Sequence, residues 1–335
     1  MNRDARAAAF LAETEWKGAE LVTLAGDASN RRYFRLKSFK GHPAVLMDSP
    51  PDKGEDVRPF IKIARHLSSL GLSAPRIFAA DETAGFLLLE DLGDALFARV
   101  VARDPGKEAR VYDAAIEVLA SLVAAQVPDG VAPYDAASMA PLAGLAAEWY
   151  VNAPTARQEL EAACMKALQE TESSRTTLVL RDYHAENLLW LPERQGLARV
   201  GLLDFQDARA GQPSYDLASL VRDARRDVSE PVAEAAFPRF ASLIGVEDEA
   251  LRSQFAVQSA QRNLRIMGVF ARLSLHFGKP HYIDLLPRVW KNLLTDLAHP
   301  SLEELRRVAL AILPPPSQAH LSDLKARCGT IPELA

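Results

Sequence analysis

The chain has 335 residues, longer than one hydrophobic core usually grows, so two lobes are the first expectation. Its 48% apolar and 25% charged residues exclude collagenous and disordered classes, and a formal charge of −5 with no cluster of Lys and Arg among aromatics argues against a nucleic-acid partner. Cys164 and Cys328 form neither a disulfide framework nor a zinc spacing, and no stretch reaches the roughly 18 apolar residues of a membrane span. Charge returns at Glu13 and Glu15 before a signal-peptide core can form, so the expected compartment is the cytoplasm, with no membrane partner.

From Arg3 to Trp16 the pattern is helical. Short β-like runs follow: Leu21 to Ala25, Arg32 to Lys37, Ala44 to Asp48, Ile77 to Asp81 and Phe86 to Glu90. One helix, Val57 to Leu70, interrupts them, with Phe60, Ile63, Ala64 and Leu67 at helical spacing and Gly71 as its terminator. Beyond Gly93, 3.6-residue periodicity predicts helices over Val111 to Ala125, Leu142 to Tyr150, Thr155 to Thr171, Glu230 to Leu243, Leu251 to Phe277, Tyr282 to Leu297 and Leu302 to Ile312. Three apolar runs, Leu178 to Leu180, Leu188 to Leu191 and Val200 to Leu203, read as strands within this helical region. The tail after Pro314-Pro315-Pro316 is expected to be a peripheral extension. The expected fold class is α+β and bilobal: residues 1–92 a small, mostly antiparallel β lobe with one main helix, and residues 93–335 a larger, mostly helical lobe.

Chemistry concentrates at the edges of the three runs. Arg181-Asp182 followed by four residues and Asn187 meets the phosphoryl-transfer loop R-D-x-x-x-x-N, with Leu180 where a kinase has His. Downstream, the apolar run Val200 to Leu203 ends in Asp204-Phe205, the position of a D-F-G metal site, with Gln206 in place of Gly. Such a pair of motifs needs ATP and Mg²⁺, a carboxylate to take the acceptor's proton and an Asn and an Asp to hold the metal. Taken singly, Asp182 reads equally well as a turn residue and Asn187 as a cap. His184 either orients the loop or approaches the phosphates and substrate, and a structural histidine is the alternative reading.

Asp182-x-His184-x-x-Asn187, then Asp204-Phe205-x-Asp207 and Pro213-Ser214-Tyr215-Asp216-Leu217-Ala218, resembles the aminoglycoside phosphotransferase family of kinase-like enzymes. Phe86 to Gly93 looks like that family's final strand and hinge. The resemblance implies a kinase-like fold from about residue 20 to 300 and an ATP- and Mg²⁺-dependent transfer. Asp182 would be the base, Asn187 and Asp204 the metal ligands, Asp216 an anchor for the loop, and Glu90 and Leu92 the adenine-holding hinge. Asp207 would support the metal or reach the acceptor.

The nucleotide lobe departs from kinase pattern where a third-strand Lys belongs, since Met47 stands near that position. Arg31, Arg32 and Lys53 are candidate replacements, and Glu55 or Asp56 can pair with such a cation. Residues Gly26 to Leu36 span a turn where backbone N–H groups, with Asn30, Arg31 and Arg32, can meet phosphates; an ordinary hairpin is the competing reading.

In Gln261 to Leu273, polar residues crowd a core-like helix. Arg262, Asn263 and Arg265 suit a sugar bearing an amide and a carboxylate, and the alternative is a helix face paired with acids such as Asp223. With the Gly26 to Tyr33, Met47 to Pro51 and Asp204 to Ala208 segments, this helix is similar to the bacterial anomeric kinases of that family. They phosphorylate N-acetylmuramate and N-acetylglucosamine at C1, and the similarity implies a small amino-sugar substrate. Another acceptor (choline, homoserine, an aminoglycoside) or a nucleotide-binding pseudokinase are the competing readings.

Overall fold

A computed structural model describes residues 2–24, 30–37 and 42–331. Ala25 and the Gly26 to Ser29 part of the expected phosphate turn lie outside the described residues. The chain divides into two compact units, Met1–Pro105 with Ala185–Ala208, and Gly106–His184 with Arg209–Ala335.

The first unit opens with α1 (Arg3–Ala12), whose first turn is capped by Asn2 accepting the Ala5 N–H at 2.8 Å. A five-stranded sheet follows, in the order β1 (Glu20–Thr23), β2 (Arg32–Lys37), β3 (Ala44–Asp48), β5 (Phe86–Glu90), β4 (Ile77–Asp81), with every neighbouring pair antiparallel. Strand alternation sorts the faces. Ala44 and Leu46 of β3 and Phe86 and Leu88 of β5 pack against Ala7, Leu11 and Trp16, while Met47 points to the other side. The interrupting helix, α2 (Arg58–Ser69), buries Phe60, Ile61, Ile63, Ala64 and Leu67, the stripe that an amphipathic helix must cover. Burying Phe60, Ile63 and Leu67 contributes roughly 2 kcal/mol each. Gly71 ends the helical segment at φ +75°, a conformation that glycine adopts without Cβ strain.

Helix α3 (Phe97–Arg103) and the hairpin of Leu188–Trp190 with Val200–Leu202 complete this unit. The hairpin is tied in by Leu202 N–H to Ser73 O at 2.9 Å, Trp190 N–H to Ala95 O at 2.8 Å and Ala98 N–H to Ala185 O at 3.0 Å. The expected division after Leu92 therefore falls inside the first unit, because residues on both sides of it bind the same hairpin. Gly201 permits that closure: a Cβ there would stand 3.0 Å from Leu189 Cβ and 3.3 Å from Leu92 Cδ1.

The second unit contains α4 (Glu108–Ala124), α5 (Ala136–Ala143), α6 (Arg157–Glu170), α7 (Ser214–Val221), α8 (Glu230–Ile244), α9 (Asp248–Leu275), α10 (Leu286–Leu297), α11 (Glu303–Ile312) and α12 (Gln318–Ala326). A small sheet places Arg209–Gly211 between Pro133–Tyr134 and Thr177–Val179. The core gathers around the 28-residue α9, roughly 42 Å long at 1.5 Å per residue.

Two expectations are corrected in this unit, and one helix had not been foreseen. The helix read over Leu142 to Tyr150 is broken: α5 carries Pro141 and stops at Ala143, and Ala146–Tyr150 forms a π-helical turn. That turn packs so closely on α9 that a Cβ on Gly268 would lie 2.3 Å from the Leu145 carbonyl carbon. Helix α7 went unread because every one of its residues is buried, which erases amphipathic periodicity. The tail is more than an extension, since α12 buries Leu324, and Leu321 and Ile331 pack on the core. Among the described residues, no helix is long and apolar enough to cross a membrane.

Candidate active site

The second unit carries the loop with the proposed base. Its strand, Thr177–Val179, leads into Arg181, whose backbone sits at φ +73°, a left-handed conformation costing a β-carbon residue about 1–3 kcal/mol. The cost is offset by Asp216 at the start of α7. Its Oδ2 accepts the Leu180 N–H at 2.6 Å and its Oδ1 the Arg181 N–H at 2.9 Å, and the Ser219 hydroxyl donates to Arg181 O at 3.2 Å. This is the loop anchor that the family resemblance implies for Asp216. Burial pushes the Asp216 carboxyl up to about 7, against the pull of those two amides.

Asp182 follows, partly exposed. Burial acts to raise its pKa, but the charge of Arg265, first, and of Arg262 and Arg181 holds it below the ordinary carboxylate range. Asp182 is therefore ionised at neutral pH, ready to accept a proton. Tyr183 beneath it is buried and donates to Ala115 O at 2.9 Å.

His184 is buried, and its Nε2 lies 3.0 Å from Nη1 of Arg225. A guanidinium only donates, so Nε2 accepts and the imidazole is neutral with its proton on Nδ1. Burial, reinforced by Arg225, lowers the His184 pKa to about 4. The structure thus places His184 in a buried pair with Arg225.

The α9 residues separate by face. Arg265 donates to the Tyr215 hydroxyl at 3.4 Å; that hydroxyl lies 3.3 Å from the Tyr134 hydroxyl, and the Arg181 guanidinium stands 5.4 Å from the Tyr134 ring centre. Arg262 is 2% exposed, reaches Arg222 O at 3.5 Å, and its Nε is buried with no hydrogen-bond partner among the described residues. Asn263 faces elsewhere. Its amide donates to Asp296 Oδ2 at 3.0 Å and to Ser259 at 3.4 Å, within a buried cluster that Arg222 joins at 3.4 Å. One helical step of about 100° takes it from the Arg262 side to that cluster, so the structure does not bring it to Asp182.

The first unit carries the candidate metal ligands. The hairpin register, Leu188 opposite Leu202, brings Asn187 and Asp204 together from 17 positions apart: Asn187 Nδ2 lies 3.4 Å from Asp204 Oδ2. Asp204 is itself left-handed at φ +57°, and Gln206 donates to its Oδ1 at 2.7 Å. Phe205 is fully buried against the Phe60 ring at 4.8 Å, which fixes the turn. Asp207 is exposed beyond it.

These donors fit Mg²⁺. They are hard oxygens on short side chains, and Gln206 Oε1 is a buried acceptor without a partner among the described residues, suited to a metal-bound water. Among the described residues no three or more of His, Cys, Asp and Glu are grouped to hold an ion.

The nucleotide candidates are spread over the same unit. Arg31 pairs with Glu55 Oε2 at 2.7 Å, and Glu55 Oε1 accepts the Asn30 N–H at 3.1 Å. Arg32 instead binds buried Asp48 at 2.5 Å, with Asp4 at 3.2 Å. In the hinge, the Glu90 N–H donates to Arg76 O at 2.8 Å and its carboxylate takes Arg194 at 2.8 Å, so Glu90 is engaged within the fold. Leu92 is the next hinge position, braced by Arg35 on Asp91 at 2.6 Å. Tyr134 and Arg225 escaped the sequence reading, and Tyr215 was named there only within its motif, because tertiary packing alone brings the three to the loop.

The phosphotransferase enzyme family matches residues 20–249. The chain belongs to that family. It is 37% identical to the N-acetylmuramate/N-acetylglucosamine kinase of Caulobacter vibrioides, covering 91% of this chain and 95% of the relative. A protein of the same name from Pseudomonas aeruginosa is 35% identical, covering 90% of each. Among solved structures, a choline/ethanolamine kinase family protein from Mesorhizobium loti superimposes with a TM-score of 0.60 at 14% identity, covering 97% of this chain and 100% of its own. The α+β, kinase-like fold expected from the sequence is thereby the fold of this family member.

Proposed function

We propose that this phosphotransferase transfers the γ-phosphate of ATP to the anomeric C1 hydroxyl of N-acetylmuramate and N-acetylglucosamine. The sugar 1-phosphate is formed in the cytoplasm, in cell-wall recycling. The reading is supported by the curated relatives, which match nearly the whole chain under that name. The observation in the site that carries it is the positive surround of Asp182, where Arg262 and Arg265 lie and Arg262 keeps a buried, unpartnered Nε. A sugar carboxylate answers that donor, whereas a polycationic aminoglycoside is repelled by it.

Asp182 takes the proton of the C1 hydroxyl as its oxygen bonds to the γ-phosphorus, and the bond from that phosphorus to the ADP oxygen breaks. An anomeric hydroxyl is more acidic than other sugar alcohols, so a carboxylate of lowered pKa suffices. His184, neutral and accepting from Arg225, orients the loop and leaves the proton to Asp182. Asn187 and Asp204 would hold Mg²⁺, with Asp207 beside them. When bound, the ion neutralises charge on the phosphate oxygens. Leu92 would hold the adenine through its backbone, and Asn30, whose N–H is held by Glu55 and whose amide donates to Lys53 O, would support the Arg31 segment beside the nucleotide.

The test is ADP release by the purified protein with Mg-ATP and, separately, N-acetylmuramate, N-acetylglucosamine, choline and kanamycin. Turnover with the two amino sugars alone is expected. Turnover confined to choline or kanamycin would overturn the acceptor assignment, and tight ATP binding without any turnover would mark a pseudokinase.

A further inference from the structure

Protein kinases draw a phosphate-binding cation from a third-strand lysine paired to a helix glutamate. Here that strand carries Met47, 1% exposed and opposite Tyr33 and Leu87 in the sheet. We propose that Arg31, held by Glu55, is the cation that contacts the nucleotide phosphates in its place. The inference rests on reading the chain as an ATP-dependent kinase and assigns the part that its strand lacks.

Three cations compete for the role, and strand alternation separates two of them. Successive strand residues point to opposite faces. Arg32 pairs across the sheet with Asp48, and Tyr33 with Met47. Arg32 thus shares the face of Asp48, whose fully buried carboxylate binds Arg32 Nη2 on Oδ2 at 2.5 Å and Arg3 on Oδ1 at 2.5 Å. Drawing Arg32 away would leave that buried carboxylate with Arg3 as its one remaining cation among the described residues. Lys53 stands exposed on the Pro51–Lys53 turn, where its carbonyl rather than its ammonium is used, accepting from the Asn30 amide at 3.3 Å.

Arg31 precedes β2 by one residue, so the alternation carries it toward the side of Tyr33 and Met47. Its side chain is 14% exposed and that of Glu55 11%, so the 2.7 Å pair is largely withdrawn from water. Glu55 grips the segment twice, through Arg31 and through the Asn30 N–H. Burial acts to lower the Arg31 pKa, but Tyr33, Glu55, Asp207 and Asp204 together raise it. Arg31 therefore lies within the field of the very carboxylates that would meet metal and phosphate. Its planar fork can take two phosphate oxygens at once while the remaining nitrogen stays on Glu55.

The test uses the full chain and a non-hydrolysable ATP analogue with Mg²⁺, measured by calorimetry, beside steady-state kinetics for ATP and N-acetylglucosamine. Arg31→Ala should weaken analogue binding by about tenfold or more, the worth of a hydrogen-bonded charge contact, and raise KM for ATP in step while KM for the sugar holds. Arg31→Lys should recover part of the loss, and Glu55→Gln should weaken binding less than Arg31→Ala. Arg32→Ala should lower the melting temperature and leave analogue affinity in place. Wild-type affinity in a folded Arg31→Ala protein would overturn the proposal, as would an equal loss in Lys53→Ala. A wild-type chain that turns over no sugar, yet loses nucleotide affinity on Arg31→Ala, would sink the acceptor reading and support this one.

Discussion

Arg262 and Asn263 are adjacent in α9 and make different contacts: Arg262 lies in the electrostatic surround of Asp182, while Asn263 is hydrogen-bonded to Asp296. Their substitutions should separate accordingly. Asn263→Ala removes a donor from a buried carboxylate, so a stability loss of about 1–3 kcal/mol is expected, read as a lower melting temperature with unchanged KM for both sugars. Arg262→Ala should raise KM more for N-acetylmuramate than for N-acetylglucosamine, because only the former offers a carboxylate. Equal shifts for the two sugars would remove Arg262 from carboxylate recognition.

Asp182→Asn tests the base. Loss of a positioned general base lowers kcat by about 10²–10⁴. Nucleotide affinity, which the proposed assignment gives to residues of the other unit, should be retained in calorimetry. A variant with near wild-type turnover would exclude Asp182 as the proton acceptor.

The raised pKa of Asp216 ties pH to both stability and activity. Its folded value, about 7, exceeds the ordinary carboxylate range, so between that range and pH 7 the folded chain keeps a proton that the unfolded chain has released. Stability therefore falls as pH rises through this window. Asp296, pushed up to about 7 by burial, contributes in the same direction. Activity should run the other way, because only the carboxylate form of Asp216 accepts both amides that hold Arg181. We expect kcat to climb with a midpoint near 7 in the wild type, and Asp216→Asn to be slow with a flat profile. An unaltered acid limb in Asp216→Asn would assign it to another group.

His184 offers a contrast. With its pKa lowered to about 4, it should show no titration by NMR across roughly pH 5 to 8, the range in which an unperturbed histidine changes charge. A midpoint between 6 and 7 in its ring carbon shifts would contradict the neutral, accepting role assigned to it.

Much of this was legible in the chain. Strands β2 to β5 end where turn residues and alternation place them, and the Asp182 to Asn187 and Asp204 motifs stand on the edges of the short runs that carry them. Periodicity could not show which way Arg262 and Asn263 face, because α9 is buried on nearly every side and both positions look alike in pattern. The Arg31–Glu55 pair joins residues 24 positions apart across β2 and β3, and only the folded sheet brings them together. The π-helical turn at Ala146–Tyr150 reads as ordinary helix in sequence, since the close approach of Gly268 that shapes it is a tertiary contact.

The most direct measurement of the proposed reaction is phosphorus NMR of the product made from N-acetylglucosamine labelled with carbon-13 at C1. Phosphorylation at the anomeric oxygen predicts a phosphorus signal split by the labelled carbon, together with loss of the sugar's reducing end. An unsplit phosphate signal with the reducing end intact would place the phosphate on another hydroxyl and contradict the account.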